Sequence, residues 1–267
     1  MVYFSLYRFG AVENDFARYS KQLRYRGEPL DTAGLHELNR ENWIDYLGRY
    51  DYFPIYVSFF KQWIENDGVS SVLKEGLKVL IKGSAGHAYH PLLRLGFALD
   101  YEHQGEIGFA LAYWAATFCP SPDYDDKLDA VSAREQLSAV LESLSDHKVN
   151  ISQMGGRGGS IQARMEYFYA MKDFSGVLRP IKTPKEFRLK EISQIISEAF
   201  AKTKHFTLLH ALTSCQALRK MLPFIAAPEK SLSEYWHSIC AAYLTVQFSS
   251  YEMGRDLLDQ TEKQWSD

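Results

Sequence analysis

"EIGFALAYWAATF", Glu106–Phe118, decides the fold. After its first residue the stretch is apolar nearly all round. A helix of that kind has no face to give to water, so it belongs at the centre of other helices. "CPSPDYDDK" (Cys119–Lys127) breaks it, because its two prolines cannot continue a helix and its acids do not suit a core.

Working outward, helical periodicity recurs on both sides. "VSSVLKEGLKVLIKG" (69–83) sets Val69, Leu73, Leu77 and Leu80 on one face and Lys74, Glu75 and Lys78 outside. "DYFPIYVSFFKQWIENDG" (51–68) reads as a helix capped by Asp51, with Pro54 in its first turn and Gly68 at its end. "LNRENWIDYLG" (38–48) reads as a short helix closed by Gly48. "VYFSLYRFGA" (2–11) is amphipathic with no capping residue before it, and Gly10 separates it from "ENDFARYSKQLRYR" (13–26). A helix that starts in mid-pattern is expected to have lost an upstream segment or to fray.

Downstream, "AREQLSAVLESLSDH" (133–147) reads as a surface helix and "ARMEYFYAMKDF" (163–174) as another. Between them lies the glycine-rich loop "NISQMGGRGGSIQ" (150–162), the best candidate domain boundary at Gly155–Gly159. "LKEISQIISEAFAK" (189–202), "FTLLHALTSCQALRKML" (206–222) and "SLSEYWHSICAAYLTVQFSSYEMGRDLLDQ" (231–260) complete the chain, the last with Ser231 and Glu234 as a capping box. No stretch alternates as a strand does. The expectation is an all-α, single-domain bundle of about ten helices over residues 1–267.

Composition excludes several function classes. The net charge of −3 and pI near 6.3 supply no basic field for nucleic acid or an anionic membrane. No apolar run is long enough to span a bilayer. Cys119, Cys215 and Cys240 are scattered and odd in number, which fits a reducing cytoplasm better than a disulfide framework. "GGRGG" lacks the Gly-Lys-Ser/Thr end of a phosphate loop, and no GxGxxG follows a strand, so no nicotinamide motif is readable. The 14% aromatic content reads as bulky core packing or as a pocket lined for a flat ligand.

Chemistry concentrates on histidines. In "GHAYHPLLRLG" (86–96), Pro91 suits a first helical position, which makes His90 the expected N-cap and puts His87 in the loop before it. Arg94 follows His90 by one turn, so the two can meet at the helix start. Such a site can bind a metal or a substrate oxygen. The alternative is a histidine bonded to backbone and an Arg94 paired with a carboxylate. His210 shares a face with Thr213 and Ser214 and reads as a ligand or as a core histidine satisfied by those neighbours, whereas His205 is expected to be exposed. His237 and Cys240 stand at i, i+3, but the apolar "SICAAYL" should raise the thiol pKa and disfavour a nucleophile. His87, His90, His210 and His237 lie on three helical segments. Bundles build nitrogen-rich sites for iron, copper or zinc in this way.

"HAYHPLLRLGFAL" (87–99), "EIGFALAYWA" (106–115), "LLHALTSCQALRKMLP" (208–223) and the earlier "NWIDYLGRYDYFPIYVSFFKQWI" (42–64) together resemble the questin oxidase-like family. The resemblance implies an all-helical oxidoreductase of the Baeyer–Villiger-like or non-heme iron type, acting with oxygen on an aromatic, polyketide-like small molecule. It implies iron ligands at His90, His210 and His237, catalytic roles for Arg94 and His87, and possible use of NADPH. Arg94 would orient an anionic ring substituent. Relatives carry a His-Asn-His segment before the match to "LYRFGA", which implies either a further segment upstream of Met1 or a site that has changed its job. They also carry a lysine where this chain has Cys240. Two other readings stand beside it: a metal-free helical binding protein that keeps the pocket, and a helical interaction protein whose histidines are structural.

Overall fold

Helix α6 (Gln104–Ala116) runs through the middle, with Ile107, Gly108, Ala110, Leu111, Ala112, Trp114, Ala115 and Ala116 buried. This is the central helix that the apolar stretch predicts. The computed structural model describes residues 2–22, 31–145, 159–182 and 189–264. They form twelve α-helices and no strand; two isolated bridges, Ser84–Cys119 and Val131–Ile181, are the nearest approach to one.

The helices are α1 (Val2–Arg8), α2 (Glu13–Gln22), α3 (Phe53–Asp67), α4 (Val69–Leu80), α5 (His90–Asp100), α6, α7 (Ala133–Ser143), α8 (Ile161–Tyr169), α9 (Lys172–Ser175), α10 (Lys190–Thr203), α11 (Phe206–Met221) and α12 (Pro228–Gln264). One apolar cluster runs from Trp43 to Leu244 and joins α3 through α12. Helix α3 lies along α6, and the absence of a side chain at Gly108 lets Ile64 and the Lys61 backbone come close. Trp43, Phe59, Phe60 and Trp63 stack and edge against one another there, with ring centroids 5.0–6.2 Å apart.

Helices α5 and α11 form a parallel pair. His90 meets His210, Gly96 lies against Ala217, and Asp100 pairs with Lys220. The seam needs glycine: a Cβ on Gly96 would stand 2.7 Å from the Ala217 Cβ.

Several ends differ from expectation. Residues 43–46 form a 3-10 turn rather than an α-helix, though Gly48 does close it at φ +80°. Asp51 sits in a second such turn and binds Arg49, so Tyr52 precedes α3 in its place. Helix α12 starts at Pro228, and Ser231 therefore lies inside it, its N–H bonded to Ala227. The capping box falls instead at Ser132 and Glu135, where α7 begins. Gly155–Gly158 of the glycine-rich loop lie outside the described residues.

The bend before α5 departs furthest. His87, Ala88 and Tyr89 all take left-handed backbone, at φ +40°, +56° and +66°. His90 is then the first residue of α5 rather than its N-cap, and Tyr89 is the cap. Each left-handed L-residue costs about 1–2 kcal/mol. Packing holds the bend: Tyr89 is fully buried against Tyr235, and Gly86 presses on the end of α6. Gly86→Ala should therefore destabilise the protein by about 2 kcal/mol or more, since the new Cβ would meet the Thr117 carbonyl oxygen at 2.2 Å. Gly34→Ala, at φ +77° in open space, should cost only about 1 kcal/mol. Urea unfolding of the two variants checks the order.

Candidate functional site

The bend delivers His87 and His90 to one side of a cleft of about 410 Å³. Phe206 and His210 come from α11, and Gln162 and Glu166 from α8. At its centre the Nε2 atoms of His90 and His210 are 3.0 Å apart. His210 Nδ1 lies 3.0 Å from the Phe206 carbonyl oxygen, which can only accept. So Nδ1 carries the His210 proton, Nε2 is the acceptor, and His90 Nε2–H donates to it. In this neutral pair His90 Nδ1 is the ring nitrogen left bare. Burial first, then the nearness of the His210 and His87 imidazoles, pushes His90 below the ordinary imidazole range. The Phe206 ring stands edge-on to His210 at 4.3 Å between centroids.

His87 is held at both ends. Its backbone N–H donates to Gln162 Oε1 at 2.6 Å, and its Nδ1 lies 2.8 Å from the Tyr113 hydroxyl. Burial raises the Tyr113 pKa and lowers that of His87, so both are neutral near pH 7 and the phenol donates to Nδ1. His87 Nε2–H then remains as a donor. Gln162 in turn donates to Glu166 Oε1 at 2.8 Å, which the Cys119 thiol also approaches at 3.5 Å.

The expected convergence is thus partial. His90 and His210 meet, and His87 shares their cleft. Arg94 does not join them. Its Nη2 and Nε lie 2.8 and 3.1 Å from one oxygen of Glu106, and its guanidinium covers the Phe109 ring at 3.9 Å. That charge is already neutralised, on the α6 side of the helix. His237 is elsewhere too. It is fully buried, donates Nε2–H to the Arg179 carbonyl at 2.8 Å and meets the Tyr124 ring edge-on. Its Nδ1 has no partner, and burial drives its pKa down to about 4. Beside it Cys240 is wholly buried and its thiol pKa is raised, as the apolar setting predicts. His205 is half-buried rather than exposed and caps α11 through Nδ1. His210 is satisfied by Phe206 rather than by Thr213 or Ser214.

Among the described residues no group of three or more His, Cys, Asp or Glu could hold a metal ion. Two imidazoles alone do not fit a multi-histidine iron centre, and the third expected ligand serves a main-chain carbonyl. Tyr113, Gln162 and Glu166 were not foreseen. Only their helical spacing, with Gln162 and Glu166 one turn apart on α8, could have pointed to them.

A comparison with protein-family models matches residues 1–266 to the family described as questin oxidase-like. The chain belongs to the questin oxidase-like family. Membership points to an oxidoreductase acting on aromatic substrates. No curated protein matches the chain. No helix among the described residues is long and apolar enough to cross a membrane.

The buried histidine supplies a pH test. An imidazole depressed from 6.5 to about 4 leaves the native state unprotonated while the unfolded chain takes a proton. Stability is then full above pH 6.5 and falls as the pH drops towards 4, by roughly 3 kcal/mol from this group. His237→Gln, which can still donate to Arg179, should flatten the stability profile over that window in urea titrations.

Proposed function

We propose that this questin oxidase-like chain is an oxygen-dependent oxidoreductase. Its cleft between α5, α8 and α11 binds a hydroxylated aromatic, polyketide-like ring. The 3.0 Å contact between His90 and His210 carries the reading. A phenol becomes reactive towards oxidants when it loses its proton, because the phenolate ring is richer in electrons. A neutral imidazole pair is suited to take that proton. The proton is held at His90 Nδ1, while His90 Nε2–H keeps its bond to His210. A second protonation is opposed by the first, so the pair holds one.

The other cleft residues orient the ring. His87 Nε2–H donates to a ring oxygen and favours the phenolate, and the exposed Phe206 ring offers a flat apolar edge. Gln162 fixes the His87 backbone, so the donor points from a rigid bend rather than a mobile loop. Dioxygen is the electron acceptor in this reading.

A second reading, a binding protein that keeps the pocket without the chemistry, is favoured by one observation: Arg94 and His237, two of the five expected site residues, are committed to other partners.

Oxygen uptake with a hydroxylated anthraquinone separates the two. In the first reading the wild-type chain consumes oxygen in proportion to ring loss. His90→Gln and His210→Ala each lower that rate by about 10²-fold or more, while Arg94→Gln lowers it far less. Binding without oxygen uptake, unaltered by metal or nicotinamide addition, would leave only the second reading.

A further inference from the structure

A surface pocket of about 730 Å³, larger than the histidine cleft, lies further along the same seam, between α1, α5 and α11. His90, Leu93, Phe97 and Asp100 follow one face of α5 at steps of three or four residues, and His210, Thr213, Ala217 and Lys220 follow one face of α11. The pocket uses the later members of both stripes. At 1.5 Å per residue its middle lies about 10 Å from the imidazole pair.

Its lining combines two features. The rings of Tyr7, Phe97 and Tyr101 give it aromatic walls, with Tyr7 and Tyr101 edge to face at 6.3 Å. Arg8, Arg219 and Lys220 give it cations, and Asp100 is the acid among them. Lys220 is paired with Asp100 and bonded to the Gly96 carbonyl. Arg8 and Arg219 have no carboxylate partner among the described residues. Elsewhere arginines in the same structure are mostly paired, as Arg40 is with Asp67, Arg49 with Asp51, Arg94 with Glu106 and Arg134 with Glu198. Two guanidinium groups with no carboxylate partner among the described residues, beside three rings, favour a particular ligand chemistry. The forks match a phosphate's oxygens, and the rings match a flat apolar body.

We infer that this pocket is a second binding site, for a planar aromatic phosphate monoester. It goes beyond the oxidation reading and does not depend on it. The phosphate binds Arg8 and Arg219, and the ring lies between Tyr7, Phe97 and Tyr101. A dianion is preferred to a carboxylate because two cations await it.

Isothermal titration of the full chain with 2-naphthyl phosphate tests this. Binding is expected in the wild type, with an affinity that falls as salt rises. The Arg8→Gln/Arg219→Gln double variant, altered only at exposed positions, should bind at least tenfold more weakly. His210→Ala should bind as the wild type does. Inorganic phosphate, naphthalene-2-methanol and 2-naphthoate should each bind more weakly than the ester. Absence of binding, equal affinity in the double variant, or naphthoate binding more tightly than the ester would overturn the assignment. So would loss of binding in His210→Ala, which would place the ligand in the histidine cleft instead.

Discussion

The close approach of α5 and α11 is the constraint on which the site depends. Gly96 has no side chain, so the two helices pack backbone to methyl at Ala217. That approach brings His90 and His210, one near the start of each helix, to 3.0 Å. Any larger residue at position 96 would wedge the helices apart and separate the rings. The same contact closes the Asp100–Lys220 pair further along. Packing and chemistry are thus set by one glycine in the middle of a helix, where glycine carries a cost of about 1 kcal/mol.

The second constraint is the bend that feeds α5. Three successive left-handed residues, none of them glycine, are not what local preference selects. They persist because Gly86 sits on Thr117, Tyr89 fills the core beside Tyr235, and Gln162 takes up the His87 N–H. Strain of this kind is retained where surrounding structure over-determines it, and here it places His87 and His90 on one cleft. His237 illustrates the opposite case. It carries the same chemistry by residue type, but a carbonyl and an aromatic ring enclose it.

Fold class was legible from periodicity because burial and helical spacing are local properties. "EIGFALAYWAATF" could only be a central helix, and it is. The helix ends were less legible. Ser231 resembles a cap, yet Pro228 starts the helix one turn earlier, and no sequence rule ranks the two. Of the site, the union of His90 and His210 was legible as a tendency of buried histidines to share partners. The diversion of Arg94 to Glu106 and Phe109 was not. Both partners lie on α6, and which side of α5 faces α6 is fixed by packing rather than by spacing. The left-handed bend was invisible for a related reason: its support comes from α6, α8 and α12.

Family membership and the paired imidazoles support the same chemistry from different directions. The first concerns descent and the second concerns where a proton can be held. The claim that joins them is that His90 and His210 share one hydrogen, with His210 protonated at Nδ1. Nitrogen-15 NMR of histidine-labelled protein near pH 7.5 measures this directly. The account predicts a scalar coupling between the two Nε2 atoms across the hydrogen bond, and a His210 ring in the Nδ1–H form. Two uncoupled rings, with His210 protonated at Nε2, would contradict it.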